Sequence, residues 1–311
     1  MTSEAEAKRA GFVAVIGAPN AGKSTLVNRL VGRKVSIVTH KVQTTRFQIR
    51  GVMVRGQAQI VLVDTPGVFA PRRRLDRAMV KAAWEGANDA DAIVHVVDAA
   101  AELGDKPADK RSADDVRRVI EGLERSQAKA ILALNKIDLI PREALLALSQ
   151  RLFETGVYDE VLMISAHTGD RIDDLATALV ARMPEGPWFY GADQVADLPE
   201  RLLAAEITRE KIFLRVHEEL PYEITVETES WTERKDGSVR IDQLVYVARD
   251  GHKPIILGKN GRTIKEVGER ARQELEQELG RRVHLFLQVK VRSGWGEERA
   301  RYAALGLDFD V

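Results

Sequence analysis

The sequence predicts an α/β domain, with a mostly parallel sheet and helices on both faces, followed by a smaller α+β domain. In the first part of the chain, short apolar runs alternate with helical patterns, which is typical of a parallel sheet wrapped by helices. A stretch rich in proline, glycine and aspartate interrupts this pattern, and beyond it the elements follow the order α-β-β-α-α-β. At 311 residues the chain is long enough for two cores. We therefore place a first domain at 1–185, a linker at 186–199 and a second domain at 200–311.

The first domain contains six apolar runs of strand length, separated by helical patterns. The run Phe47–Val54 is predicted as an antiparallel edge strand, because it lies directly before a core strand. The predicted core strands are Phe12–Ile16, Gln59–Asp64, Ala92–Asp98, Ala130–Asn135 and Glu160–Ser165. The predicted helices are Ser24–Val31, Asp76–Ala87, Asp114–Ser126, Glu143–Thr155 and Ile172–Met183.

The second domain begins with a long amphipathic pattern, predicted as a helix over Glu200–Glu219. Two alternating segments follow, joined at Lys235–Gly237 by residues typical of a hairpin turn. The elements predicted after the first helix are strands at Ile224–Glu233 and Ser238–Ala248, a short helix or turn at Lys253–Leu257, a helix at Arg262–Leu279 and a strand at Val283–Val291.

Composition excludes sites that need cysteine, and it shows no overall charge that would indicate a partner. The 47 basic and 47 acidic residues cancel, so no overall charge points to nucleic acid or membrane, and any such surface has to be local. The absence of cysteine excludes disulfides, thiolate zinc sites and a cysteine nucleophile. The N-terminus is polar and no apolar run reaches membrane-spanning length. We expect a soluble, cytoplasmic protein, and peripheral contact with the inner face of the cell membrane stays open.

A glycine-rich motif directly follows the first strand and opens the first helix. Its sequence, GAPNAGKS over 17–24, has the spacing of a P-loop in the strand–loop–helix context that a P-loop requires. Glycines at 17 and 22 let the backbone wrap phosphates, Lys23 neutralises β- and γ-phosphate charge, and the Ser24 hydroxyl holds Mg²⁺. A chance glycine turn is the alternative, and the helix and the Lys-Ser pair in register disfavour it. The predicted phosphate-binding residues are Gly17, Asn20, Ala21, Gly22, Lys23, Ser24 and Thr25.

A second phosphate motif, Asp64-Thr65-Pro66-Gly67, ends the second core strand. A carboxylate at this strand end lies beside the P-loop, where Asp64 can hold Mg²⁺ through water. The Gly67 N–H can approach the γ-phosphate. Alone this motif could be a turn after a strand, but its distance from the P-loop favours the phosphate interpretation.

A third motif, Asn135-Lys136-Ile137-Asp138, closes the fourth core strand and points to guanine. Asp138 can accept two hydrogen bonds from the guanine N1–H and exocyclic amine, a pattern that adenine does not offer. Asn135 ties this loop to the P-loop region, and the apolar stem of Lys136 packs over the base. A helix N-cap is the other interpretation of Asp138. Backbone groups of Ser165, Ala166 and His167 complete the predicted base pocket.

The second domain carries its own candidate site, Gly258-Lys259-Asn260-Gly261, between two predicted helices. KH domains use Gly-x-x-Gly in this position to clamp a single-stranded nucleic-acid backbone. The motif is weak alone, but its α-β-β-α-α-β frame resembles the second KH topology. Residues 249–292 carry 11 basic and 6 acidic side chains. A solvated helix face accounts for part of this charge, and the candidates closest to the loop are Lys259, Arg262 and Lys265.

The motifs, in this order and spacing, resemble the translation-factor-related GTPases, in a branch that carries a C-terminal KH domain. The resemblance covers nearly all of Gly11–Leu307. It implies that Thr45, in the segment Thr44-Thr45-Arg46, binds Mg²⁺ and senses the γ-phosphate. From composition alone, a pair of threonines would be interpreted as polar residues at the edge of a strand. With Lys23 and Gly67, Thr45 completes the implied catalytic set. His167 departs from the lysine or leucine common in relatives, but its contribution comes mainly from the backbone.

Two features bear on the mechanism. The residue after the second motif is Val68, where Ras-like enzymes carry the glutamine that orients water, so intrinsic hydrolysis should be slow. Asn20 is the second feature, because related GTPases with this asparagine hold a potassium ion against the phosphates. Stabilisation of the loop turn is the other interpretation of Asn20.

The sequence therefore predicts a GTP-hydrolysing switch with water as nucleophile, Mg²⁺ as cofactor and no small-molecule substrate besides GTP. The resemblance implies binding to the 3′ end of small-subunit ribosomal RNA and a role in small-subunit assembly. Nucleotide-dependent ordering of Lys41–Arg46 and Val68–Arg74 is the predicted switch. The alternatives are an RNA chaperone that holds GTP or GDP without turnover, and a membrane-associated signalling GTPase.

Overall fold

The computed structural model describes residues 7–39, 41, 44–192, 194, 196–216 and 223–311. The chain divides into two compact units. The first comprises Met1–Ser36, Thr45–Asp197 and Leu305–Val311, and the second comprises Ile37–Thr44 and Leu198–Ala304. The predicted division differs from these units in three segments: 37–44 belongs to the second unit, 305–311 belongs to the first, and the predicted linker 186–199 is divided between them after Asp197.

Within the described residues, the first unit is built on a six-stranded sheet. The strands are β1 (Arg9–Ile16), β2 (Ile49–Arg55), β3 (Ala58–Asp64), β4 (Ala92–Asp98), β5 (Ala130–Asn135) and β6 (Tyr158–Met163). Their order in the sheet is β2-β3-β1-β4-β5-β6, and all neighbouring pairs are parallel except β2 and β3, so the predicted antiparallel edge strand is confirmed. The inner strands are buried along most of their length, as expected for a sheet covered by helices on both faces.

Among the described residues, six α-helices accompany this sheet, and the short one at Ala99–Glu102 is absent from the sequence prediction. Most predicted bounds are shifted by one to three residues, and two of the differences have a clear local cause. The helix predicted at Asp114–Ser126 begins at Pro107, because proline fits the first turn and the Asp109 carboxylate accepts a hydrogen bond from the Lys106 N–H at 3.1 Å. The last strand ends at Met163 and not at Ser165, whose N–H bonds to a turn carbonyl instead. The helices are α1 (Lys23–Val31), α2 (Arg74–Asn88), α3 (Ala99–Glu102), α4 (Pro107–Ser126), α5 (Arg142–Phe153) and α6 (Ile172–Arg182).

The described elements of the second unit are α7 (Glu200–Arg215), β7 (Ile224–Glu233), β8 (Val239–Val247), α8 (His252–Leu257), α9 (Arg262–Leu279), β9 (Val283–Val291) and α10 (Arg299–Ala304). Its three strands form a sheet with the order β7-β8-β9, in which β8 is antiparallel to β7 and parallel to β9. The element order confirms the predicted α-β-β-α-α-β frame, to which the structure adds the short helix α10. The first helix ends at Arg215, and 217–219 of the prediction lie outside the described residues.

The segment 305–311 belongs to the first unit because its side chains bind α2. The Asp308 carboxylate accepts a hydrogen bond from Lys81 Nζ at 2.5 Å, and the Arg74 guanidinium lies 4.4 Å from the centroid of the Phe309 ring. Within the described ranges, no helix is long and apolar enough to cross a bilayer.

Candidate functional site

The loop 17–22 connects β1 to α1 and requires glycine at both ends. Gly17 and Gly22 have positive φ angles of 148° and 101°. A Cβ atom at Gly22 would lie 2.2 Å from the Asn135 Nδ2 atom, and one at Gly17 would lie 2.3 Å from the Val96 carbonyl oxygen. Larger side chains would therefore push neighbouring backbone and the loop of the third motif away. The glycines therefore let this loop lie against β4 and against Asn135 at the N-terminus of α1.

Lys23 is the first residue of α1 and is almost completely buried. Its Nζ atom donates hydrogen bonds to the carbonyl oxygens of Gly17 at 3.1 Å and Ala18 at 2.9 Å. Burial lowers the pKa of Lys23 to about 8, and the negative charge of Asp64 partly opposes this shift. The loop thus holds an ammonium group at a helix N-terminus, a position that favours anions.

Three side-chain oxygens converge beside Lys23. The Ser24 hydroxyl donates to Asp64 Oδ2 at 2.7 Å and lies 3.0 Å from the Thr45 hydroxyl, which is 3.4 Å from the same carboxylate oxygen. Asp64 Oδ1 is buried and accepts no hydrogen bond from the described residues. Burial raises the pKa of the Asp64 carboxyl, against the hydrogen bond from Ser24 and the charge of Lys23. These three hard oxygen donors, together with the unsatisfied Asp64 Oδ1, fit Mg²⁺.

The second motif is fastened to the P-loop through its backbone. The Val68 N–H donates to the Gly17 carbonyl at 3.0 Å, and a Cβ atom at Gly67 would lie 2.9 Å from the Pro19 nitrogen. The Thr65 hydroxyl donates to the Val15 carbonyl at 2.8 Å, which fixes the start of the motif on β1. The Val68 side chain is buried in the apolar core of the first unit, so it orients no water.

Asn135 joins the third motif to its neighbours. Its Nδ2 atom donates to the Ala21 carbonyl at 2.8 Å, and its Oδ1 atom accepts a hydrogen bond from the Ala166 N–H at 2.9 Å. One amide therefore connects the P-loop to the loop after β6, as the sequence predicted for the P-loop side.

Asp138 lies in a single helical turn and is exposed. In the described part of the chain its carboxylate forms no hydrogen bond, so both oxygens can accept bonds from a ligand. The N-cap interpretation is wrong, because Lys136 precedes that turn and Pro141 caps α5. Ser165 and Ala166 are buried and His167 is exposed. The His167 carbonyl accepts a hydrogen bond from the Arg29 side chain of α1.

Sequence reasoning missed two residues that bind the predicted base-binding segments, which are the loop at 136–138 and the loop at 165–167, here called the base-side loops. Asp98 ends β4, pairs its carboxylate with Lys136 Nζ, and accepts hydrogen bonds from the N–H groups of Ala100 and Ala101 at 3.0 and 3.1 Å. Arg29 of α1 donates to the Ala166 carbonyl at 3.3 Å and to that of the following residue. The position of Asp98 at the carboxyl end of a parallel strand could have been noticed, whereas nothing in the sequence marks Arg29.

Asn20 adopts the left-handed conformation, with a φ of 62°, and its side chain is exposed. Asparagine tolerates this conformation better than most residues with a side chain. The geometry therefore accommodates the turn-stabilising role, and it also leaves the side chain at the surface of the phosphate loop.

In the second unit, the Gly-x-x-Gly loop forms a tight turn between α8 and α9. A Cβ atom at Gly258, whose φ is 71°, would lie 2.1 Å from Thr263 Oγ1, so the turn requires glycine there. Gly261 has a φ of 74° and precedes the first turn of α9. The side chains of Lys259 and Asn260 are exposed at the loop tip. Two further exposed cations follow in the first turn of α9, Arg262 and Lys265.

Comparison with known proteins decides the family. The family model described as a 50S ribosome-binding GTPase matches residues 12–136, and the one described as a KH domain matches residues 219–296. GTPase Era of Caulobacter vibrioides is 61% identical over the whole of both chains, and GTPase Era of Brucella suis is 54% identical over 99% of this chain and 96% of that one. The chain belongs to the Era GTPase family.

Solved Era structures agree with this assignment over both units. Era of Aquifex aeolicus, as a variant bound to GDP·AlF4⁻, is 37% identical, covers 96% of this chain and 99% of that chain, and has a TM-score of 0.85. An Era complex with MgGDPNP and nucleotides 1506–1542 of 16S ribosomal RNA has the same TM-score, identity and coverage. The predicted family, the predicted fold class and the prediction of GTP hydrolysis are confirmed.

Proposed function

We propose that this Era-family GTPase uses GTP and Mg²⁺ to control binding of the 3′ end of small-subunit ribosomal RNA during assembly of that subunit. The observation that carries the proposal is one chain holding both a guanine-nucleotide site and an exposed basic Gly-x-x-Gly loop. The related Era complex contains a magnesium nucleotide and a 16S ribosomal RNA fragment together, which supports the pairing of the two ligands.

At the phosphates, Lys23 binds the β- and γ-phosphate oxygens, and backbone N–H groups of the P-loop and of Gly67 surround the remaining oxygens. Mg²⁺ bound there would neutralise charge that develops on the phosphates. The residues that would hold it are Ser24 and Thr45 directly and Asp64 through water. Water attacks the γ-phosphate. Val68 occupies the position of the glutamine that orients this water in Ras-like enzymes, and its buried apolar side chain cannot do so. The intrinsic rate of hydrolysis is therefore slow.

At the base, the Asp138 carboxylate accepts both hydrogen bonds of the guanine edge. The stem of Lys136 covers the base while its ammonium stays paired with Asp98. Asn135 and the backbone of 165–167 close the pocket. The segments Lys41–Arg46 and Val68–Arg74 respond to the γ-phosphate, although Val42 and Gln43 lie outside the described residues.

The RNA-binding loop supplies the test of the proposed function. Replacing Lys259-Asn260 with Asp-Asp keeps both glycines but reverses the charge where the loop meets a phosphate. We expect affinity for a single-stranded RNA with the sequence of the 16S 3′ end to fall about tenfold or more, with a shallower dependence on salt, because fewer counterions are released. Fluorescence anisotropy across a salt series measures both quantities, and nucleotide affinity should not change.

A matched control is Lys235→Asp, which reverses an exposed lysine in the hairpin turn of the same unit. It should leave RNA affinity close to that of the parent. Undiminished RNA binding by the folded double-Asp variant would remove the loop from the RNA site. Retention of the full-length protein by anionic vesicles, with no binding to the RNA, would favour the membrane-associated alternative.

We also propose that Asn20 helps to hold a potassium ion against the phosphates. If so, GTP hydrolysis should slow when sodium replaces potassium at constant ionic strength, since the smaller ion fits the same oxygens poorly. Asn20→Gly should abolish the difference, because glycine keeps the left-handed backbone and removes only the side chain. Phosphate release measured in both salts decides the matter, and equal parent rates leave Asn20 with the turn-stabilising role.

Lys23 gives nucleotide binding a pH dependence. In the nucleotide-free site its pKa is about 8, and phosphate oxygens favour the charged form, so the pKa rises on binding. Below pH 8 the lysine is charged in both states, and above it binding takes up a proton. GTP affinity should fall by up to about tenfold per pH unit above pH 8. Calorimetry in buffers of different ionisation enthalpy measures the proton uptake, which should be absent in Lys23→Met.

A further inference from the structure

Helix α7 of the second unit carries three charged side chains that are almost completely buried. Glu206, Arg209 and Glu210 are 7%, 1% and 2% exposed. Charged residues are seldom buried this completely unless they are paired, and apolar residues of similar volume would usually be as stable in their place. The buried charges therefore call for an explanation other than packing.

Arg209 forms a two-point ion pair with Glu206 one turn earlier on the same helix. Its Nε atom donates to Glu206 Oε1 at 2.8 Å, and its Nη2 atom donates to Oε2. The guanidinium also lies 4.9 Å from the centroid of the Phe213 ring. Held by the carboxylate on one edge and the ring on its face, the guanidinium has one fixed direction.

That direction aims Nη2 at the main chain of 37–44, which belongs to the same compact unit. Nη2 donates a hydrogen bond to the Thr44 carbonyl oxygen. A second contact comes from Glu210, whose Oε1 atom accepts a hydrogen bond from the Val38 N–H at 2.8 Å. A third joins the Lys41 ammonium to the Val216 carbonyl at the end of α7. The helix thus holds this segment by backbone groups near both of its ends.

The next residue in the chain is Thr45, whose hydroxyl lies 3.0 Å from that of Ser24. The Thr44 carbonyl and the Thr45 nitrogen belong to one planar peptide group, so fixing the carbonyl fixes the plane from which Thr45 departs. We propose that Arg209, oriented by Glu206, is a positioning residue that places Thr45 for GTP hydrolysis. This inference rests on the proposed role of Thr45 at the Mg²⁺ and γ-phosphate.

A positioning role and a purely stabilising role of Arg209 predict different effects of its loss. If Arg209 only stabilised its own unit, its loss would lower the melting temperature and leave the catalytic constants of the folded protein unchanged. If it positions Thr45, its loss leaves GTP binding largely intact, because most contacts to nucleotide come from other loops, and slows the chemical step. A change in kcat with little change in KM therefore identifies the positioning role.

The experiment compares Arg209→Gln, Arg209→Lys and Glu206→Gln in the full-length protein. Glu206→Gln keeps the side-chain volume and serves if the arginine variants fail to fold. The matched control is Arg281→Gln, because Arg281 also bridges two carboxylates of the second unit, those of Glu233 at 2.6 Å and Glu200 at 3.2 Å. Thr45→Ala is the reference for loss of the positioned group.

The measurements are kcat and KM for GTP, and hydrogen exchange of the Val38 and Thr45 amides in nucleotide-free protein. We expect Arg209→Gln to lower kcat about tenfold or more with KM changed less than about threefold, and to speed both amides about tenfold. Glu206→Gln should show a smaller change in the same direction, Arg209→Lys should recover part of the rate, and Arg281→Gln should match the parent.

Two results separate the possible failures. If Thr45→Ala hydrolyses GTP at the parent rate, the proposed role of Thr45 fails. If Thr45→Ala is slow while Arg209→Gln and Glu206→Gln keep the parent kcat and the parent exchange rates, the inference about Arg209 is overturned and the proposed function stands.

Discussion

Replacing Lys23 with alanine should reduce GTP hydrolysis about a hundredfold or more at saturating nucleotide. The Nζ atom is buried in the loop and bonded only to the carbonyls of Gly17 and Ala18 among the described residues. Phosphate oxygens can take the place of these carbonyls, and the ammonium then opposes charge that grows in the transition state. Because Lys23 is almost completely buried, water replaces that charge poorly. Single-turnover hydrolysis with nucleotide well above its dissociation constant measures the loss.

The matched control for this change is Lys129→Ala. Lys129 also donates to a loop carbonyl in the first unit, that of Gly156, but it is exposed and belongs to no motif. Its loss should leave hydrolysis at the parent rate. Ser24→Ala should instead raise the Mg²⁺ concentration needed for half-maximal rate, because it removes one oxygen from the cluster with Asp64. Parent-rate hydrolysis by Lys23→Ala would end the P-loop assignment.

Much of the nucleotide site could be predicted because its residues follow strand ends. Parallel strands bring their carboxyl ends to one edge of the sheet, so Asp64 and Asn135 were expected beside the P-loop, and the structure places them there. Asp98 obeys the same rule at the end of β4 but belongs to no familiar motif, so the sequence does not indicate its pairing with Lys136. Arg29 binds the carbonyl oxygens of 166 and 167 from the last turn of α1, and no spacing rule marks such a contact.

Helix boundaries and side-chain burial are harder to predict where they depend on polar residues. The first two turns of α4, from Pro107, carry no apolar period, and their caps became evident only in the structure. On α7, the charges of Glu206 and Arg209 look like a solvated face at helical spacing. Only the tertiary structure shows that both are buried, because the hydrogen bond of Arg209 is accepted by the backbone carbonyl of Thr44, which is far away in sequence.

Asp138→Asn should lower affinity for GTP about a hundredfold or more and create affinity for xanthosine triphosphate. The carboxylate accepts hydrogen bonds from the guanine N1–H and amine, whereas the asparagine amide presents a donor where guanine also presents one. Xanthine carries a carbonyl oxygen in place of that amine and so becomes the better partner. The exposed carboxylate forms no hydrogen bond within the part of the chain that the structure describes, so the change should not disturb folding.

Titration calorimetry with GTP and xanthosine triphosphate measures both affinities on the same protein. Asp105→Asn is the matched control, because Asp105 is exposed in the same unit and the substitution changes charge equally. It should bind GTP like the parent and show no gain with xanthosine triphosphate, which would exclude a general effect of charge on triphosphate binding. An Asp138→Asn protein that keeps the parent affinity for GTP would remove this residue from the base pocket. Weakened GTP binding with no gain for xanthosine triphosphate would mean that the carboxylate supports the loop and does not contact the guanine edge.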